Sequence, residues 1–116
     1  MTEPRDVGVV IDDMIDHIDY VLSKIGRLSL ADFRADRDIR QSIERSMEII
    51  SEASRSLPPE LQRIRPEIPW RQVADFGNVL RHTYHLVNAN IVWRIATEDL
   101  IPLREALIAM RDQLNR

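Results

Sequence analysis

Between residues 11 and 28 the apolar side chains fall three or four positions apart: Ile11, Met14, Ile15, Ile18, Val21, Leu22, Ile25 and Leu28. That row covers one face of an α-helix, while Asp12, Asp13, Asp16 and Asp19 lie largely on the other. The spacing predicts a helix over about 6–26, with Gly26 near its C-terminal end, where glycine is tolerated best. A second row, Ile39, Ile43, Met47, Ile50 and Ala53 or Ser54, predicts another long helix from near Asp36 to about Arg55. Its polar positions, Arg37, Arg40, Glu44, Arg45, Glu48 and Glu52, are expected to face solvent.

Punctuation between and after these helices sets the remaining elements. Ser29 followed by Asp32 has the Ser-x-x-acid form of an N-terminal cap and predicts a short turn around Phe33. Pro58-Pro59 ends the second helix and can start a short one over 59–64, because proline fits the first helical position. Pro66 and Pro69 bracket a connection into a helix over 70–81, read through Val73, Phe76 and Leu80. Gly77-Asn78 is a poor pair for its middle. A last helical region covers about 88–114, where Pro102 should break or kink it and Asp99 is a plausible cap. With no alternating pattern for a strand, the expected class is all-α: an up-and-down bundle of four to five helices.

A chain of 116 residues, 44% hydrophobic and 30% charged, suits a single folded domain over 1–116. The absence of cysteine removes disulfides, thiolate metal sites and cysteine nucleophiles together. No signal peptide and no run of about eighteen apolar residues is present, so a soluble, cytoplasmic protein without a membrane span is expected. A net charge of -3 argues against holding nucleic acid by bulk positive charge. The acidic excess lies in the first half of the chain, and every basic residue except Lys24 is arginine. Arginine's planar fork suits phosphate and carboxylate, although a GC-rich genome gives the same usage.

Residues 68–107 carry a more specific pattern. Pro69-Trp70, Asn78, His82-Thr83-Tyr84, Val92-Trp93-Arg94-Ile95 and Asp99-Leu100-Ile101-Pro102-Leu103 follow one another at spacings that resemble the HepT-like family of the HEPN superfamily. Asp32-Phe33, the run Ile43 to Ile50 and Glu52-Ala53 resemble that family's second helix, so the likeness covers about 8–110.

The resemblance implies a HEPN-like bundle and a homodimer that cleaves RNA without metal or other cofactor at a cleft between two protomers. It casts His82 as general acid or base and Asn78 as an orienting group. An imidazole suits moving the proton of a 2′-hydroxyl that attacks the adjacent phosphate, and a guanidinium suits the charge that grows on the phosphate oxygens. In related systems the partner is a MntA-like nucleotidyltransferase antitoxin that attaches AMP to a tyrosine, here Tyr84, and so silences a toxin.

This sequence departs from the family at one place. The superfamily motif pairs an arginine with the histidine, but the position before Asn78 is Gly77. Arg81 is the nearest guanidinium and, four residues after Gly77 on a helix, shares its face; it is the provisional phosphate contact. The alternative is a non-catalytic HEPN module that binds RNA, nucleotide or a partner protein. Trp70 and Trp93 are expected in the core or a dimer interface rather than as base-stacking platforms, and His17 and His85 at the surface or an interface. The acidic face of the first helix is expected to be solvated.

Overall fold

The computed structural model describes residues 4–82 and 85–115. Their order is α1 (Pro4–Ile25), α2 (Leu30–Ala35), α3 (Arg37–Ser54), α4 (Pro59–Gln62), α5 (Trp70–His82), α6 (His85–Arg94), a π-helical segment (Ile95–Asp99) and α7 (Leu100–Leu114). No strand occurs among the described residues. The long elements form the expected all-α up-and-down bundle, with α2 and α4 as short additions.

The apolar row of α1 is its seam. Val7, Ile11, Met14, Ile15, Ile18, Val21 and Ile25 are buried, whereas Leu22 is only partly covered. Burying one such side chain stabilises the fold by roughly 1.5–3 kcal/mol, so this row outweighs any surface contact the helix makes. On one side α1 lies antiparallel to α3: His17 Nδ1 and Ser46 Oγ form a hydrogen-bonded pair at 3.3 Å, and Tyr20 bonds Ser42. On the other it lies antiparallel to α7, where Arg111 reaches Asp12 at 3.1 Å. Arg104 grips both oxygens of Asp19, at 2.6 and 3.3 Å.

The acidic face stays exposed, as expected, but those last two pairs also engage it within the chain. Asp12 and Asp19, themselves exposed, are counter-charges for α7, and Asp13 and Asp16 are exposed as well. The hydrogen bond it donates to Asp19, and then that carboxylate's charge, raise the Arg104 guanidinium above its ordinary pKa against a smaller desolvation.

Ser29 begins α2 with a complete capping box: its hydroxyl accepts from the Asp32 N–H, and the Asp32 carboxylate accepts from the Ser29 N–H. Asp36 caps α3 in turn by accepting from the Ile39 N–H at 3.0 Å. Within α3, Ile43, Met47, Ile50 and Ser54 are buried as expected. Arg40 is a correction. Its position belongs to the buried row, and the side chain is only 7% exposed, with Nη1 donating to the Arg34 carbonyl at the end of α2. The arginine therefore satisfies a helix-terminal carbonyl that would otherwise lack a partner.

Pro59 opens α4 at its first turn. The stretch that follows is fastened by Trp70, whose ring N–H donates to the carbonyls of Gln62 and Arg65 at 3.2 and 3.0 Å. Trp70 is buried and Trp93 half-buried, its ring centroid 5.7 Å from that of Phe33. Both tryptophans are packing residues of the bundle.

The final region differs from a single broken helix. Pro102 lies in the first turn of α7, and the interruption comes before it, as the π segment in which the Leu100 N–H bonds the Ile95 carbonyl. A proline ring collides with the carbonyl four residues earlier, here that of Glu98, and widening the turn at 95–99 relieves the collision. Asp99 does not cap: its backbone is helical and its side chain makes no capping bond. Among the described residues no helix is long and apolar enough to cross a membrane.

Candidate active site

The candidate residues stand on α5, and α3 fixes where α5 lies. Ser51 Oγ accepts from the Gly77 N–H at 2.9 Å and donates to the Ala74 carbonyl at 3.0 Å. Arg55 donates to the same carbonyl at 2.9 Å. These bonds hold two helices close together at Gly77. A Cβ at position 77 would stand 3.3 Å from Ser51 Oγ and 3.5 Å from Ser51 Cβ. The conformational cost of a mid-helix glycine, about 1 kcal/mol, is offset by this approach.

The register that follows is antiparallel, with Arg55 and Ser51 beside Ala74 and Gly77. One turn further along, Glu48 comes beside Arg81, with Oε2 and Nη1 4.0 Å apart. Arg81 Nη2 donates to Asn78 Oδ1. Its Nη1 lies 3.8 Å from the place a Cβ on residue 77 would take. The side chain is thus laid back toward the helix N-terminus, the direction helical side chains favour. The structure brings Asn78 and Arg81 together and sets the guanidinium over the glycine.

His82 is the last residue of α5 and is exposed. On the helix it continues the row Asp75, Phe76 and Val79, not the row Ala74, Gly77 and Arg81 that faces α3. Tyr84 and the side chain of His85 lie outside the described residues.

Beside the His82 row runs a groove of about 700 Å³ between α5 and the α6–π–α7 arm. Val73, Phe76 and Val79 line one wall, Ile91, Ile95 and Leu100 the other, and Val79 is 42% exposed. Charged groups, Asp75, Arg94 and Asp99, also line it. Among the described residues no group of three or more His, Asp or Glu could hold a metal ion. Chemically, the end of α5 offers an exposed guanidinium to hold an anion and an exposed imidazole, on the next residue, to move a proton.

Two participants escape a reading of the sequence alone. Glu48 and Ser51 lie in the second apolar-patterned helix, and their meaning depends on which helix packs against them. The one signal is Gly77 itself, a residue that costs a helix about 1 kcal/mol relative to alanine and so calls for a reason in packing.

Comparisons with known proteins identify the family. A family described as "Ribonuclease HepT-like" matches residues 14–110. The protein named "Probable ribonuclease HepT" of Thermococcus cleftensis is 31% identical over 94 residues, covering 81% of this chain and 86% of that one. "Putative RNase MJ1380" of Methanocaldococcus jannaschii is 27% identical over 101 residues, 87% of this chain and 93% of the other. "Putative RNase TTE0752" of Caldanaerobacter subterraneus is 26% identical over 95 residues, with 82% and 85% covered. No solved structure matches the chain. A family match across most of the bundle, including the helix that carries Asn78, Arg81 and His82, has one reading: this chain belongs to the HepT-like ribonuclease family.

Proposed function

We propose that the protein is the ribonuclease toxin of a toxin–antitoxin pair, cleaving RNA at a site completed by a second copy of the chain. The observation that carries this reading is Arg81 lying over Gly77. The guanidinium absent from position 77 is supplied from one turn along the same helix, its Nη1 3.8 Å from where a side chain at 77 would begin.

In this mechanism Arg81 holds a scissile phosphodiester by its non-bridging oxygens, and Asn78 keeps the fork from swinging away. His82 takes the proton of the ribose 2′-hydroxyl as O2′ bonds to phosphorus. The P–O5′ bond breaks, and the departing oxygen receives a proton from the His82 imidazolium of the other protomer. The products are a 2′,3′-cyclic phosphate and a 5′-hydroxyl, and the proton count closes. No step calls for a metal or cofactor. The open, largely apolar groove beside α5, with Val79 exposed one turn before His82, supports a homodimer as the surface a second copy would cover.

The antitoxin in this reading is a MntA-like nucleotidyltransferase. AMP on Tyr84, two residues after His82, would place a bulky anion where the RNA phosphate must sit. Gly77 also supports the second reading, a HEPN module that binds RNA or a partner without cutting it. Purified protein separates the two. Wild-type cleavage of single-stranded RNA, lost in His82→Ala and Arg81→Ala and only partly kept in Arg81→Lys, is expected. RNA binding without cleavage would establish the non-catalytic module instead.

A further inference from the structure

We propose that Glu48 is a positioning residue of this site, holding the Arg81 guanidinium over Gly77 in the orientation that receives a phosphate. The inference rests on the ribonuclease reading for its catalytic meaning.

The argument is one of restraints. An arginine at a helix end that is half exposed, as Arg81 is at 51%, has several rotatable bonds and loses most of its freedom only when both sides of the fork are held. Asn78 holds Nη2 from within α5. That bond alone leaves the side chain free to swing with the helix surface, because donor and acceptor ride on the same element. Glu48 comes from α3, faces Nη1 at 4.0 Å, and is the more sheltered partner at 27% exposure. It ties the guanidinium to the neighbouring helix, in a register that the Ser51–Gly77 hydrogen bond fixes independently. Position 48 is shared with Arg45, whose Nη1 is 3.7 Å from the same carboxylate oxygen, but Arg45 is 72% exposed and one turn away on α3 itself. The carboxylate therefore has a cation on each side, and only Arg81 belongs to the site.

A positioning role differs from a competing one. If the carboxylate merely occupied the guanidinium in place of phosphate, removing its charge would strengthen RNA binding. If it orients the fork, removing it leaves binding by bulk charge nearly intact and costs turnover. A contact between partly exposed groups at this distance is worth up to about 1 kcal/mol, or about five-fold in rate.

The test measures RNA cleavage, with kcat and KM separated, for wild type, Glu48→Ala, Glu48→Gln, Glu48→Asp and Arg45→Ala, together with the NMR exchange rate for rotation of the 15N-labelled Arg81 guanidinium. Glu48→Ala is expected to lower kcat about five-fold with KM changed less than two-fold and to speed guanidinium rotation. Glu48→Gln, which loses the charge that faces Nη1 across 4.0 Å, should show both losses nearly in full, and so should Glu48→Asp, one methylene short. Arg45→Ala should behave as wild type. An Arg81 rotation rate unaltered in Glu48→Ala would overturn the proposal whatever the RNA results. So would a lower KM in Glu48→Gln, or an Arg45→Ala defect as large as that of Glu48→Ala. Absence of cleavage by wild type with the rotation change intact would instead remove the ribonuclease reading, and with it the catalytic role of Glu48, leaving only the restraint on Arg81.

Discussion

The hydroxyl of Ser51 bridges two backbone groups of α5, accepting from Gly77 and donating to the Ala74 carbonyl three residues earlier. Because both bonds are made, moving the oxygen to admit a larger residue at 77 strains one or both of them. Gly77→Ala therefore sets two effects of similar size against each other. The helix gains about 1 kcal/mol in propensity, and a Cβ forced to 3.3 Å from Ser51 Oγ costs about 1–3 kcal/mol in overpacking. In a Ser51→Ala background the contacts that remain, 3.5 Å to the Cβ of residue 51 and 3.8 Å to Arg81 Nη1, are ordinary packing. The alanine should then stabilise by about 1 kcal/mol relative to Ser51→Ala alone. Urea unfolding of the four proteins measures the coupling, and additivity of the two substitutions would show that Ser51 does not set the limit.

The same geometry makes an unusual statement about restoring the motif. Gly77→Arg reinstates the family residue at its family position, yet it must pass Ser51 and meet the Arg81 guanidinium at 3.8 Å from its Cβ. The variant should lose about 1–3 kcal/mol, lowering Tm by several degrees, and should not exceed wild type in RNA cleavage. Ser51→Gly combined with Gly77→Arg should regain part of the lost stability. Cleavage by Gly77→Arg well above wild type would mean that Arg81 is not standing in for the missing side chain.

Much of this molecule was readable from spacing. The rows that begin at Ile11 and Ile39 placed α1 and α3 within a residue or two of their observed ends, and Ser29 with Asp32 forecast a capping box that is present. Local rules suffice there because a helix seam and a cap depend on residues within one turn. Arg40 shows where they fail. Its position fits the buried row Ile43, Met47 and Ile50, but its charge suggested solvent, and only the carbonyl of Arg34 across a turn explains its burial. Gly77 and Arg81 were legible as residues of interest. Glu48 and Ser51 were not, since a contact between helices with more than twenty residues between them leaves no mark in either helix's own pattern.

Arg40 yields a prediction of its own. Arg40→Ala removes a buried stem, opens a cavity and strips the Arg34 carbonyl of its donor, and is expected to cost about 2–4 kcal/mol. Arg40→Met keeps most of the volume and avoids burying a charge, so it should cost no more than about 1–2 kcal/mol, chiefly for the orphaned carbonyl. Thermal unfolding of both variants distinguishes packing from charge. Equal losses would mean that the hydrogen bond, and not the stem, is what the fold requires.

Pro102 tests whether the π segment is a consequence of the proline or an independent feature. Inside an α-helix a proline costs about 3 kcal/mol, for the missing N–H and the clash with the carbonyl four residues back together. Here the proline directly follows the wide turn at Ile95–Asp99, where widening gives room for the ring beside the Glu98 carbonyl. Most of the penalty is therefore absent, and Pro102→Ala should change stability by less than about 1 kcal/mol. A gain near 3 kcal/mol, measured by urea unfolding, would show that the ring is still strained against the helix. Amide exchange adds the structural half of the answer. If the π turn exists only to admit the proline, Leu100 should slow in exchange as 95–102 tightens to α-helical bonding, whereas unchanged protection there would mean that the bulge belongs to the packing of Ala96 and Leu100 in the core.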